Sequence, residues 1–194
     1  MANLRRGISG QRRARNARQF GKRILVVCGA EKTEKQYLEG LRDANRRANI
    51  AIKIRVEPKD PMAVVDAAIR LRDADKDAFD ECWVVLDVDD FDIPPVERFA
   101  AEQGIRIAIS NPCFEYWLLL HFCEHNGNIP DYRRIEPILK KYVENYDKAR
   151  IVFSVYESRV GDAIKRSEKR LASCGGTTVN PSTNMHQLAL QFLP

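Results

Sequence analysis

Residues 83–92 read WVVLDVDDFD. An apolar run, Trp83 to Leu86, is followed within six positions by Asp87, Asp89, Asp90 and Asp92. Carboxylates are costly to bury, and like charges this close repel. The run therefore reads as a buried strand whose carboxyl end opens into a loop or a site. On an extended end, residues two apart point to the same side. Asp87 and Asp89 can then converge on one hard cation, with Asp90 beside them, as oxygen-preferring Mg²⁺ or Mn²⁺ requires. A solvated acidic loop is the competing reading of the same residues.

Working outward, RILVVC (23–28), IAIKIRVEP (50–58) and IRIAIS (105–110) are three further strand-like runs. Helical patterns lie between them. Tyr37, Leu38 and Leu41 recur at helical spacing after the first strand. DPMAVVDAAIRLRDADK opens with an Asp N-cap and Pro at the first helical position, and PPVERFAAEQG begins with Pro and ends at Gly104. The order β-α-β-α-β-α-β predicts an α/β fold, a central, mostly parallel four-stranded sheet flanked by helices. Ligands of such sheets bind at the carboxyl ends of strands. If the first and third strands are neighbours, the aspartates face the loop GAEKTE (29–34).

Beyond Ser110 the pattern becomes helical. Helices are expected from Cys113 to about His125, within YRRIEPILKKYVENY (132–146), within SRVGDAIKRSEKRLAS (158–173), and after the Asn-Pro-Ser-Thr stretch near the end. The apolar segment 113–123 suits either core or an interface between copies of the chain.

The 194 residues, 30% charged and 44% hydrophobic, suit one soluble domain. No apolar stretch is long enough to span a bilayer, and the N-terminus lacks the apolar core of a signal peptide. The five cysteines are scattered, with no CxxC pair, so neither a disulfide framework nor a zinc site is indicated. A cytoplasmic protein with buried free thiols is expected, without a membrane partner. The net charge of +5 is uneven: residues 1–23 hold eight basic side chains and no acid, leaving −3 for the rest. Residues 1–22 are expected to be a basic, disordered arm and 23–194 the folded domain. Arg5, Arg6, Arg12, Arg13, Arg15 and Arg18 would either be simply solvated or neutralise the phosphates of RNA or DNA.

Other candidates surround the aspartates. Glu31 and Glu34 sit near the first helix's start, as dipole partners, as a general base or as metal ligands. Asn111 and Glu115 flank the fourth strand's end as candidates for a supporting or phosphate-binding role; Glu115, an acid embedded in an apolar run, either rests on its helix's outer face or reaches the metal site. Ser182, Thr183 and His186 lie at a helix start that could cap itself or hold a phosphate. His121, on an apolar helix, reads as a hydrogen-bonded core residue. An acidic pocket of a phosphotransfer receiver is a third functional class, but it would want a lysine after a later strand that cannot be placed.

The stretches ILVVCGAEKTEKQYLEGLR, WVVLDVDDF, IAISNPCFEYWLLLHF and NPSTNMHQL, in that order and spanning most of the chain from residue 23 to the end, resemble the RloB-like family. The resemblance implies a Toprim-type fold and a place in bacterial antiphage loci. It likens the chain to the nuclease of two-component abortive-infection systems, which an AAA-type ATPase accompanies. It implies Mg²⁺- or Mn²⁺-dependent cleavage of RNA or DNA, with Asp87 and Asp89 matching the family's DxD. The first motif departs from the pattern: Gly29 and Ala30 stand where Glu-Gly would be expected. Glu31 or Glu34 is then left to replace that glutamate, or the chain binds nucleic acid or a partner without cutting.

Overall fold

The computed structural model describes residues 22–30, 32–45, 50–56, 60–75, 77–88 and 91–193. Four strands follow the expected alternation: β1 (Lys22–Cys28), β2 (Ile50–Val56), β3 (Glu81–Asp87) and β4 (Arg106–Asn111). Between them run α1 (Thr33–Ala44), α2 (Pro61–Asp73) and α3 (Ile93–Glu102). The second half adds α4 (Glu115–Leu120), α5 (Tyr132–Leu139), α6 (Ser154–Glu157), α7 (Val160–Cys174), β5 (Ser182–Thr183) and α8 (Met185–Ala189).

The sheet order is β2-β1-β3-β4-β5, parallel except for β5. This mostly parallel α/β arrangement is consistent with a Toprim-like fold. Among the described residues the sheet has five strands, not four. The fifth is two residues long, too short to leave a hydrophobic pattern. It forms because Asn184 extends the pairing with its side chain: Nδ2 donates to the Ile107 carbonyl (3.0 Å), and its backbone N–H donates to Ile109 O (3.1 Å). Lys22, assigned to the arm from sequence, is the first residue of β1 and pairs with Glu81 at 2.8 Å.

Strand alternation divides the core in two. Ile24, Val26, Cys28, Trp83 and Val85 face α1 and the C-terminal helices; Leu25, Val27, Cys82, Val84 and Leu86 face α2 and α3. Each fully buried Val, Leu or Ile contributes roughly 1.5–3 kcal/mol. α2 begins as its sequence predicts: Asp60 accepts from the Ala63 N–H at 3.1 Å, and Pro61 occupies the first turn. α1 lies close to the segment before α6, because a Cβ at Gly40 would overlap Phe153.

All six residues of α4 are buried, so this segment is core. The helix is shorter than expected. Arg166 of α7 donates to the carbonyls of Leu120 (2.7 Å) and His121 (2.9 Å), taking acceptors that a longer helix would need. His121 is a core residue, as expected. Its Nδ1–H donates to the Trp117 carbonyl (3.0 Å), so Nε2 accepts from the Tyr37 hydroxyl (2.9 Å). All five cysteines are free; Cys28, Cys82 and Cys113 are buried. Among the described residues, no helix is long and apolar enough to cross a membrane.

Candidate active site

The carboxyl ends of β1 and β3 meet as neighbours, with Cys28 opposite Val85 in the parallel register. A cavity of about 360 Å³ opens there. Ala30, Lys32, Thr33 and Glu34 line it from the start of α1, and Asp87 from the end of β3. Cys113, Phe114 and Glu115 line it from the start of α4; Tyr132, Lys148 and Ala149 complete it from the helical half.

Each acid reaches the cavity for a local reason. Asp87 follows Trp83 and Val85 in alternation, so it faces the α1 side of the sheet. Glu34 is in phase with Tyr37, Leu38 and Leu41 on the buried stripe of α1, and it is only 2% exposed. It also sits in the first helical turn, where the helix dipole favours a carboxylate. Glu115, 5% exposed, opens α4 and accepts a hydrogen bond from the Tyr146 hydroxyl at 3.2 Å.

The neighbours of these acids report a negative field. The Cys113 thiol is pushed far up, first by burial and then by Glu115 and Asp87. Burial raises Tyr146 strongly, and Glu115 adds to it. Tyr132 is raised by burial, then by Glu136 and Glu115. Cys28 rises through burial and the nearby Glu34. Thiols and phenols here stay protonated, so Cys113 is no thiolate nucleophile. Burial is the larger cause throughout, and the carboxylates add to it.

Gly29 does not point at this cavity. A Cβ there would meet Leu86 Cδ2 at 3.4 Å, the Val85 carbonyl at 3.5 Å and Val64 Cγ2 at 3.6 Å. That is the α2–α3 side of the sheet, away from Asp87. Among the described residues, the carboxylate from beyond β1 that lines the cavity with Asp87 is Glu34, in the first turn of α1.

The remaining candidates separate. Glu31, Asp89 and Asp90, and the arm residues Arg5, Arg6, Arg12, Arg13, Arg15 and Arg18, lie outside the described residues. Asn111 serves structure: its Nδ2 donates to the carbonyls of Thr177 and Thr178 (3.2 Å each), and its Oδ1 accepts from Asn180. Ser182 and Thr183 form β5, and their hydroxyls bond to Thr177 O and Ile109 O. His186 pairs with the Ser167 hydroxyl at 2.7 Å in the packing of α7 against α8. These four residues do not line the cavity with Asp87. Tyr146, Tyr132, Lys32 and Lys148 were not singled out from sequence. Their only trace there is a mixture of tyrosine and lysine common to any solvated helical segment.

The carboxylates Glu34, Asp87 and Glu115 are hard oxygen donors of the type Mg²⁺ and Mn²⁺ take. Among the described residues, no three His, Cys, Asp or Glu side chains form a ready ligand set. The donor chemistry suits such an ion, while Asp89 and Asp90 lie outside the described residues.

Fold and site thus define an α/β protein with an acidic cavity at the carboxyl edge of a parallel sheet. The model of the RloB-like protein family matches residues 24–191, and the chain belongs to that family. Neither a curated protein nor a solved structure matches it.

Proposed function

We propose that the protein is a metal-dependent phosphodiesterase that cleaves RNA or DNA. The observation that carries this reading is the meeting of Glu34, Asp87 and Glu115 in one cavity at the carboxyl ends of β1 and β3. Asp87 and Glu34, with Asp89 and Asp90 from the adjoining segment, would hold Mg²⁺ or Mn²⁺. When bound, such an ion makes its water more acidic and offsets charge on a phosphodiester. Glu115, held by the Tyr146 hydroxyl, would take a proton from an attacking water. The protonated Cys113 and Tyr132 leave that role to the carboxylates. The basic arm would add sequence-independent grip on phosphates. A role in antiphage defence, a cytoplasmic location, an AAA-type ATPase partner and self-association belong to the same reading, through the family resemblance.

The test compares wild type with Asp87→Asn and Glu34→Gln on transfer RNA, other RNA and DNA, each with Mg²⁺ and with Mn²⁺. Cleavage by wild type, abolished by EDTA and reduced at least about a hundredfold in either variant, is expected. Equal behaviour of all three proteins on every substrate overturns the reading.

That no three His, Cys, Asp or Glu side chains among the described residues form a ready ligand set favours a second reading, a regulatory subunit that binds nucleic acid or a partner on the same fold without turnover. Stable binding by a wild type that cleaves nothing under any of these conditions would select it.

A further inference from the structure

The segment between α5 and α6 is tied to the start of α1 at three points. The Thr33 hydroxyl donates to the Lys148 carbonyl (2.9 Å), and Gln36 Nε2 donates to the Ala149 carbonyl (2.9 Å). The Ile151 N–H donates to Gln36 Oε1 (2.8 Å). The backbone of Lys148 is thereby set beside the helix turn that carries Glu34. Its ammonium lies over the Tyr132 ring, 4.6 Å from the centroid. Glu136, the carboxylate one turn beyond Tyr132, is bonded by Lys140 at 2.8 Å. Among the described residues no acid lies within ion-pair distance of Lys148. Lys148 adds only a weaker pull on Glu136, whose direct partner is Lys140, so the arrangement holds a cation in no ion pair, in a cavity whose other charged side chains are Lys32, Glu34, Asp87 and Glu115.

A lysine serving only solubility needs neither a fixed backbone nor an aromatic seat. An ammonium that completes an acidic cavity suits a ligand that meets a metal at one end and a cation at the other. We propose that Lys148 is the phosphate-binding residue of this cavity: it holds a non-bridging oxygen of a nucleic-acid phosphodiester, while Tyr132 positions it. The inference rests on the phosphodiesterase reading and adds to it the residue that recognises the ester.

The test reads binding, not turnover. Fluorescent mixed-sequence RNA and DNA strands are titrated with the full chain in Ca²⁺, which occupies carboxylate sites while acidifying its water less than Mg²⁺. Lys148→Met should bind about tenfold more weakly than wild type, the loss of one charged hydrogen bond. Its slope of log affinity against log salt should be shallower by about one. Lys148→Arg should bind as wild type, and Tyr132→Leu should fall between. Unchanged affinity and slope in Lys148→Met overturns the inference, as does a wild type that binds neither strand. Binding that depends on Lys148 without cleavage would sink the hydrolytic reading alone. Cleavage and binding by Lys148→Met at wild-type levels would sink the inference alone.

Discussion

Acidification should loosen the contact that joins the two helices bearing the cavity's carboxylates. Tyr37, one turn after Glu34 on α1, donates to His121, which ends the helix that Glu115 begins. Protonating His121 turns Nε2 into a donor facing the Tyr37 hydroxyl and places a charge in the core. Burial lowers its pKa from 6.5 to about 4, and nearby Arg166 and Arg159 push the same way against the backbone hydrogen bonds. In the unfolded chain the ring takes a proton near its ordinary value, so falling pH stabilises the unfolded state first. The stability held by neutral His121 is complete above about pH 6.5 and is lost as pH falls towards 4. At ~1.4 kcal/mol per unit the full loss is roughly 3 kcal/mol, most of it by about pH 4.5. That is a large share of the ~5–15 kcal/mol holding a typical domain together.

Urea unfolding followed by fluorescence of the buried Trp83 and Trp117 measures it, at about pH 7 and about pH 4.5. His121→Gln keeps a donor and an acceptor but cannot titrate. It should be less stable than wild type at neutral pH and lose roughly 3 kcal/mol less over the window. His186, also lowered by burial, is present in both proteins and cancels. If wild type and His121→Gln lose equal stability between the two pH values, the reasoning is wrong.

Two other outcomes follow from the site. Gly29→Glu should not create or raise cleavage, because its side chain starts towards Leu86 and Val64; thermal unfolding should show a loss of roughly 1–3 kcal/mol. Gln36→Ala removes two bonds to the segment that carries Lys148. Native-state exchange of the Ile151 amide should accelerate roughly tenfold, about the loss of one net hydrogen bond, while the β3 amides hold their protection.

Much of the sheet was legible because the central strands β1 and β3 are buried on both faces and read as apolar runs, while the edge strand β2 shows as an alternation. WVVLDVDDFD combined such a run with its acidic exit, and parallel topology places that exit beside the end of β1. Glu34 was a candidate from its place near a helix start. Its phase with Tyr37, Leu38 and Leu41 is the signal that would have ranked it above its neighbours. The apolar surroundings of Glu115 were equally visible. β5 was hidden because two residues carry no period, and α4 looked too long because Arg166, over forty residues away, ends it.

By itself, the sequence determined the alternation of strands and helices, the strand exit at Asp87 and the membership of His121 in the core. These depend on neighbours a few residues apart, where periodicity records which face is buried. Tertiary structure alone decided that position 29 faces the wrong side of the sheet and that Glu34 meets Asp87. It also brought Tyr132 and Lys148 from the helical half to a cavity begun at β1, and Tyr146 to Glu115. Such contacts join segments far apart in the chain, up to 115 residues for the Thr33 to Lys148 bond. Their partners are chosen by how packed layers close on one another, which leaves no local period to read.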